Sequence, residues 1–360
     1  MPDPTHVDLP AGVRELCDAV VPPDRRQARL AQVRQLTVAR PAGSLGRLDD
    51  AVLHVAGIRR TTRPEPLAGV VSVLAGDHGV AAHGTSRFRY GLTGRVLALI
   101  NEGRAPVNRL AARVPARVET ADLGLAEPVG DPRYRVAAGT ADLCVRDAMT
   151  RAETELALAN GARYAVERLA GSGMVGVGEI GVGNTTATSA LAARLLGVPA
   201  AITVGAGSGV DDATVLRKRE LIEMALARTA ALPDDPLRLL AGLGGLEIAG
   251  NVGLILAAAA DRRVIVLDGA ITAVAALIAV RLCPAVREHL IAGHLSNEPV
   301  HRLLLAELCL KPLLSLEMRL GMASGAAMAM ALLTGALDVV AATPDAVEAG
   351  LAPGAAEAAR

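Results

Sequence analysis

Aromatic residues are almost missing from this chain. Among its 360 residues there are three tyrosines, one phenylalanine and no tryptophan, so aromatic side chains make up 1% of the sequence. A platform of stacked rings for single-stranded nucleic acid is therefore not expected. An excess of one charge is missing as well, because 37 basic residues balance 37 acidic residues. Without a basic surface to attract a polyanion, we expect no nucleic-acid partner.

Cysteine is scarce and scattered, at Cys17, Cys144, Cys283 and Cys309. No Cys-x-x-Cys pair occurs, which argues against a zinc site and against a disulfide framework. The first ten residues include Asp3, Asp8 and Pro10, where a secretory signal would need a basic and then an apolar run. We therefore predict a reduced, cytoplasmic protein.

Long apolar runs of the kind that cross a membrane are also missing. Hydrophobic residues make up 51% of the chain and the mean hydropathy is +0.37. The longest uncharged run, Leu320 to Leu337, is interrupted by glycine, serine and threonine. Runs of this kind indicate buried helices of a globular protein, so no membrane partner is predicted.

The most informative stretch is glycine-rich and covers residues 176–186. It follows the apolar pair Met174-Val175 and precedes the long apolar run 187–196, which predicts a strand, a turn and a helix. Such a turn lets the backbone approach a ligand, and the helix N-terminus favours an anion. The predicted phosphate-binding residues are Gly181, Gly183, Asn184, Thr185 and Thr186. A tight turn without a ligand fits this stretch equally well. It matches neither a Walker loop nor the full dinucleotide fingerprint.

A second glycine-rich stretch follows about 25 residues later. We predict a strand over 200–204, then a turn that contains Gly205, Gly207, Gly209 and Asp211, and a helix that carries Lys218. Two such turns on neighbouring strands could form the walls of one phosphosugar pocket. The Lys218 ammonium would then counter the negative charge of the phosphate. Alternatively, the aspartate only caps the helix.

Polar residues follow three further apolar runs. Asp77 and His78 come after the run 70–75, Asp268 comes after 264–267, and His294 and Ser296 come after 290–292. Open α/β sheets hold ligands beyond the carboxyl ends of their strands. The Asp-His pair could instead be a satisfied hydrogen-bonded pair. His294 and His301 lack a third ligand at convincing spacing, so we predict no metal.

The alternation of strands and helices predicts an α/β fold with a parallel sheet. We expect a Rossmann-like large domain over residues 61–309, and a small helical domain formed by both chain ends, 1–60 and 310–360. Further predictions are a helix from 47 to about 58, one helix over 94–112, and a capping box of Thr150 and Glu153.

Taken together, the motifs resemble those of the nicotinate mononucleotide:5,6-dimethylbenzimidazole phosphoribosyltransferase (CobT) family, over about Pro41 to Leu351. The matching segments are Pro41-Ala42-Gly43-Ser44-Leu45-Gly46-Arg47-Leu48, Ala75-Gly76-Asp77-His78-Gly79-Val80, Ala148-Met149-Thr150, Gly178-Glu179-Ile180-Gly181-Val182-Gly183-Asn184-Thr185-Thr186, Gly207-Ser208-Gly209-Val210-Asp211-Asp212, Gly244-Gly245-Leu246-Glu247-Ile248-Ala249, Asp268-Gly269, His294-Leu295-Ser296-Asn297-Glu298-Pro299 and Met318-Arg319-Leu320-Gly321. Each motif alone is weak, but so many in the same order make a specific match.

The resemblance implies a homodimeric, cofactor-free enzyme that moves ribose 5-phosphate from nicotinate mononucleotide to an aromatic base and yields an α-ribotide. It implies that the phosphoribosyl group lies on the two glycine turns, with Asp268, His294 and Ser296. It also implies that Glu179 stabilises the sugar or its developing charge. The base would lie against Asp77, His78, Ser86, Phe88, Tyr90, Leu320 and Met322.

One departure from the family's pattern concerns the proton acceptor. After Arg-Leu-Gly the family has a glutamate that acts as general base, whereas this chain has Met322, which cannot accept a proton. The segment 86–93 and Ala270 also depart from the pattern. Three hypotheses follow: an enzyme with an altered acceptor or another base such as Tyr90 or His294, an ordinary enzyme with rerouted proton removal, and a non-catalytic paralogue or heterodimer subunit whose partner supplies the glutamate.

Overall fold

The computed structural model describes residues 9–351 of the chain. A sheet of five parallel strands lies at its centre, in the order β2-β1-β3-β4-β5. Its strands are β1 (Gly69–Gly76), β2 (Ala116–Gly124), β3 (Met174–Ile180), β4 (Val264–Leu267) and β5 (Leu290–Ala292). Two short strands, β6 (His294–Leu295) and β7 (Leu314–Ser315), pair separately.

Helices cover both faces of the sheet. In chain order they are α1 (Ala11–Ala19), α2 (Arg25–Gln35), α3 (Arg47–Arg59), α4 (Leu92–Asn101), α5 (Pro106–Ala111), α6 (Arg151–Arg168), α7 (Asn184–Leu196), α8 (Ala200–Thr203), α9 (Asp212–Arg228), α10 (Pro236–Leu243), α11 (Leu246–Ala260), α12 (Ala270–Leu282), α13 (Pro299–Glu307) and α14 (Ser324–Ala342). Short 3-10 helices span Gly79–His83, Pro132–Tyr134 and Pro284–His289.

The central strands are mostly apolar because both faces of the sheet are covered, with Ser72 in β1 and Glu179 in β3 as polar exceptions. Successive residues alternate between the two layers: Val70 and Leu74 pack with α11 and α12, whereas Val71 and Val73 pack with α3 and α14. All eight residues of β1 are buried. The prediction of an α/β fold with a parallel sheet is confirmed.

Helix α14 lies directly against this sheet. Met330 lies so close to the strands that a Cβ at Gly69 or Gly176 would come within 2.7 Å of the end of its side chain. Among residues 9–351, α14 is the one helix long and apolar enough to cross a membrane, and half of it is buried inside the fold. It is a core helix, as the sequence predicted for the run from Leu320 to Leu337.

Two local predictions are wrong. Residues 200–204 do not form a strand, because Pro199 begins the short helix α8, in which Thr203 Oγ1 donates to Ala200 O. The predicted helix over 94–112 is two helices, because Pro106 has no N–H for a continuous helix and starts α5 anew. The capping box of Thr150 and Glu153 is confirmed.

The two ends of the described chain meet. Ala39 N donates to Pro344 O at 2.9 Å, and Ala346 N donates to Thr37 O at 2.7 Å. This pairing is consistent with a small domain built from both ends, but the division at residues 60 and 310 stays a prediction. The outer bounds of the predicted domain, residues 1 and 360, lie outside the described residues.

Candidate active site

A cavity of about 290 Å³ opens beyond the carboxyl ends of β3, β4 and β5. The predicted site residues that line it are Ser86, Phe88, Glu179, Gly181, Gly183, Asn184, Thr185, Gly207, Asp268, His294, Ser296, Leu320 and Met322. Those that do not line it are Asp77, His78, Tyr90, Thr186, Gly205, Gly209, Asp211 and Lys218. Segments far apart in sequence therefore converge on one cavity, and the assignment of these residues to a ligand stays a prediction.

The first glycine turn connects β3 to α7. A Cβ at Gly181 would overlap Gly76 O, and Gly183 has a left-handed φ of 95° that favours glycine. Asn184 and Thr185, in the first turn of α7, line the cavity, whereas Thr186 is fully buried on its far side. The turn thus places backbone and polar side chains at the helix N-terminus, a site that suits an anion.

The second glycine turn reaches the same cavity although no strand precedes it. Lys218 is fully buried and bridges the two turns: its Nζ donates to Thr185 Oγ1 at 3.1 Å and to Gly205 O at 2.7 Å. Burial lowers the pKa of this lysine, and the Glu298 carboxylate opposes that shift. Gly207 N donates to Glu298 Oε1 at 2.8 Å. Lys218 therefore connects the two glycine turns of the cavity wall, although it does not line the cavity itself.

Asp211, at the end of the second turn, caps a helix. Its side chain accepts a hydrogen bond from Thr214 N at 2.9 Å, which is the N-cap arrangement at the start of α9. Gly209 lies against the Arg319 guanidinium, with an ideal Cβ 2.7 Å from Nη1. The alternative weighed for Asp211 is thus the arrangement observed.

Glu179 is the most unusual ionisable group in the cavity. Only 5% of the residue is exposed, and its carboxylate contacts Asn184 Nδ2. Burial raises its pKa well above the ordinary value, the nearby Glu247 and Asp268 carboxylates raise it further, and the Asn184 hydrogen bond opposes them. A carboxyl group with a raised pKa inside a cavity is suited to acid–base chemistry.

Asp268 and His294 form the polar floor of the cavity. Asp268 Oδ1 accepts hydrogen bonds from Gly325 N at 2.7 Å and Ala326 N at 3.1 Å, at the start of α14. His294 Nε2 lies 3.5 Å from the same oxygen. Burial lowers the pKa of His294, against the attraction of Asp268. The neighbouring Ser296 Oγ lies 2.9 Å from His301 Nδ1.

Asp77 and His78 lie behind the cavity wall, so direct contact with a base is not seen for them. Asp77 accepts from Thr93 Oγ1 at 2.5 Å and from Ala126 N at 2.9 Å. His78 Nε2 lies 2.7 Å from Glu247 Oε1, and both side chains are fully buried. Each finds a partner elsewhere in the chain rather than in the other. Asp77 is hydrogen-bonded through both oxygens. His78 is bonded only through Nε2, because its buried Nδ1 has no hydrogen-bond partner among the described residues.

The segment 84–91 contributes Ser86 and Phe88 to the cavity but not Tyr90. Phe88 is half exposed, and Ser86 Oγ accepts from Phe88 N at 3.1 Å. Tyr90 OH instead donates to Ala138 O at 3.5 Å. Arg87 and Arg89 are exposed, and Arg87 N donates to Ser208 Oγ at 3.3 Å, which ties the segment to the second glycine turn.

Met322 closes the apolar side of the cavity. Gly321, Met322 and Ala323 all have left-handed φ angles, of 75°, 57° and 59°, which turn the chain sharply before α14. Met322 is 9% exposed, whereas Leu320 beside it is 48% exposed. An ideal Cβ at Gly321 would lie 3.9 Å from Glu179 Oε1, so the Glu179 carboxylate faces this turn.

Several cavity residues were not among the predicted site residues. They are Leu92, Thr93, Val96, Ile180, Val182, Ser208, Gly269, Ala270, Ile271, Glu298, Arg319 and Gly321. Glu298 and Arg319 belong to two of the sequence motifs that match the CobT family. Their place in those motifs was the feature from which they could have been predicted as site residues. Another cavity of about 300 Å³ lies beside β2 and contains none of the predicted residues.

Comparison with known proteins decides the family. A family model described as phosphoribosyltransferase matches residues 20–351. The chain belongs to this family.

Nicotinate-nucleotide–dimethylbenzimidazole phosphoribosyltransferase of Desulforudis audaxviator is 41% identical over 90% of this chain and 93% of the relative. The Pseudomonas aeruginosa protein of the same name is 42% identical over 89% and 92%. The crystal structure of CobT from Thermus thermophilus has a TM-score of 0.87 and 36% identity, over 91% of this chain and 100% of that chain.

Proposed function

We propose that this chain transfers ribose 5-phosphate from nicotinate mononucleotide to dimethylbenzimidazole, releasing nicotinate and forming an α-ribotide. The observation that carries the proposal is the composition of the cavity. Its polar part, with the two glycine turns, Asp268 and His294, suits a phosphosugar, and its apolar part, with Phe88, Leu320 and Met322, suits a flat aromatic base. Glu179 lies in the same cavity, and the names of the relatives describe this reaction.

The reaction needs little from the protein beyond positioning and charge stabilisation. The C1′–N bond of the mononucleotide breaks, and nicotinate leaves with the electron pair because its ring nitrogen is a pyridinium. A nitrogen of the incoming base forms the new bond on the opposite face of C1′, which inverts that centre. The base must then lose its N–H proton. The developing positive charge on the sugar requires a nearby negative group.

Glu179 is our candidate for both tasks. Its carboxylate is buried in the cavity and faces the Gly321–Met322 turn, where the resemblance implies a glutamate in other members. Its raised pKa makes it a better proton acceptor than an ordinary glutamate, and the positive charge of the pyridinium ring, which passes to the sugar as the bond breaks, favours the ionised form that accepts the proton. Tyr90 does not line the cavity, and burial lowers the pKa of His294. We therefore assign to Glu179 the proton-accepting role that the resemblance implies for a glutamate at position 322, where this chain has Met322.

The non-catalytic alternative, a paralogue or heterodimer subunit, finds no support in these comparisons, since the relatives carry the name of an enzyme. We propose a homodimer, for which the exposed apolar residues Leu30, Val33 and Leu36 on and beside α2 offer a surface. We also propose a cytoplasmic location, consistent with four free cysteines in the described chain.

Met322→Glu tests the assignment of the proton acceptor. If Glu179 already accepts the proton, the variant changes kcat for dimethylbenzimidazole by less than about tenfold, because a second base adds little. The measurement is nicotinate release from nicotinate mononucleotide, with dimethylbenzimidazole and then a panel of azoles, purines and phenols. A gain of about 10² or more on dimethylbenzimidazole alone would mean that the wild type lacks a base and serves another acceptor.

Lys218→Met tests the bridge between the glycine turns. The change keeps the apolar length of the side chain and removes the Nζ donor to Thr185 and Gly205. We expect KM for nicotinate mononucleotide to rise about tenfold, the equivalent of one charged hydrogen bond, while the thermal midpoint does not fall. Lys311→Met, at an exposed position, is the matched control. An unchanged KM would show that Lys218 does not contribute to phosphosugar binding.

A further inference from the structure

Three potential metal ligands of different chemistry meet outside the cavity. His83 ends the 3-10 helix Gly79–His83, and Asp142 and Cys144 belong to the loop before α6. One ligand atom from each, a ring nitrogen, a carboxylate oxygen and a thiol sulfur, all lie within 4.8 Å of one another. His83 Nε2 and Asp142 Oδ2 are 2.7 Å apart.

The local structure holds these groups in place and leaves the site open. Cys144 N donates to Asp142 Oδ1 at 2.9 Å, which fixes the loop between the two ligands, and Cys144 is 8% exposed. The His83 and Asp142 side chains are 39% and 24% exposed, so an ion and a water molecule can reach them. Near the site, Arg217 donates to His83 O. Burial, and then Asp142, raise the pKa of the Cys144 thiol to about 12, and Arg228 opposes this shift.

We propose that His83, Asp142 and Cys144 form a binding site for a divalent transition metal of the zinc class. Zinc sites combine nitrogen, sulfur and carboxylate ligands, and three protein ligands plus water are a common set. Magnesium and calcium prefer sites made only of oxygen atoms, which this site is not. The prediction of no metal was based on the absence of cysteine pairs and on the spacing of His294 and His301. The contact between residues 83 and 144 could not be predicted, because these residues are far apart in the sequence.

Binding requires defined proton movements. The Cys144 thiol, which donates to Leu221 O at 3.4 Å, gives up this hydrogen bond and loses its proton to solvent as the metal–sulfur bond forms. His83 must present Nε2 as a lone pair, so its proton resides on Nδ1 and the hydrogen bond to Asp142 is exchanged for two metal–ligand bonds. Neither the metal nor the protein changes its oxidation state.

The site would anchor the segment that leads into the cavity. Residues 84–91 start directly after His83, and Ser86 and Phe88 of that segment line the cavity. A bound ion would fix the beginning of this segment and thereby the base-side wall. This consequence rests on the proposed function, whereas metal binding itself does not.

The test is a titration of the full-length, reduced and chelator-treated protein with Co²⁺, followed by displacement with Zn²⁺. We expect a near-ultraviolet thiolate-to-cobalt absorption band that saturates at one ion per chain and disappears on addition of Zn²⁺. Cys144→Ser is expected to abolish the band, and His83→Ala and Asp142→Asn to weaken Co²⁺ binding at least about 100-fold. Absorption requires no transferase activity, so failure here and failure of the proposed function are separate results.

Two cysteine variants outside the site are the controls. Cys309→Ser removes an exposed thiol and Cys283→Ser removes a buried one, and both should keep the full band. The proposal is overturned if the wild type shows no band, if Cys144→Ser keeps it, or if His83→Ala binds Co²⁺ as tightly as the wild type. His83 is partly exposed, so its variant remains informative even if Cys144→Ser does not fold.

Discussion

Glu179→Gln is expected to lower kcat for transfer to dimethylbenzimidazole about 10²–10⁴-fold, the usual contribution of a positioned general base. Glutamine has almost the same shape and can still contact Asn184, so the cavity should keep its form. It can neither accept a proton nor oppose the positive charge that develops on the sugar. The measurement is steady-state nicotinate release, with KM for the mononucleotide determined in parallel.

Two further variants make this result specific. Glu298→Gln is the matched control, because Glu298 is another cavity carboxylate whose oxygen already accepts from Gly207 N. Its effect should fall mainly on KM and stay below about tenfold. In the Glu179→Gln background, Met322→Glu should restore part of kcat by supplying a carboxylate across the same turn. If Glu179→Gln retains more than a tenth of wild-type kcat, Glu179 is not the proton acceptor.

The pH dependence follows from the environment of the Glu179 carboxyl. Burial, and then the Glu247 and Asp268 carboxylates, raise its pKa well above the ordinary 4.5, while Asn184 opposes the shift. A general base works when it is deprotonated, so kcat/KM should fall as pH decreases through this raised pKa. The acid limb should therefore lie at higher pH than for an ordinary glutamate, and Glu179→Gln should lack that limb.

His78→Ala is expected to have the largest effect on stability. The variant removes one partner of the buried His78–Glu247 contact of 2.7 Å and leaves the Glu247 carboxylate in the core without it. Breaking such a buried pair costs about 3–5 kcal/mol of the free energy of unfolding. For a chain of this size we expect the thermal midpoint to fall by about 4–7 °C. Calorimetry or circular dichroism measures this shift.

The exposed pair of the same chemistry provides the comparison. His83 and Asp142 are also 2.7 Å apart, but their side chains are 39% and 24% exposed. His83→Ala, measured in the presence of chelator, should therefore cost less than about 1 kcal/mol. Equal effects of the two substitutions would show that burial does not determine the strength of the His78 pair.

Local sequence patterns predicted the sheet and the first glycine turn well because their causes are local. The run 70–75 is apolar along its length, and only a strand buried on both faces requires that. Residues 200–204 have a similar apolar composition, yet Pro199 and the neighbouring α7 and α9 accommodate them as a helical turn. Five residues are too few for their periodicity to distinguish the two structures.

Contacts between distant residues could not be predicted in this way. His78 meets Glu247 across 169 positions, and Gly207 meets Glu298 across 91. The sequence analysis predicted both His78 and Gly207 as site residues. Only Gly207, which contacts Glu298, lines the cavity, whereas His78, which contacts Glu247, lies behind the cavity wall. A polar residue after a strand therefore indicates the edge of the sheet where a site lies, while its packing partner decides whether it faces the ligand.

The most direct test of the central claim is the wild-type protein incubated with nicotinate mononucleotide and dimethylbenzimidazole. We predict that nicotinate and an α-ribotide of dimethylbenzimidazole appear in equal amounts, and that no nicotinate appears without the base. The claim would be contradicted if the protein bound the mononucleotide but released no nicotinate with this base or with any acceptor of the panel.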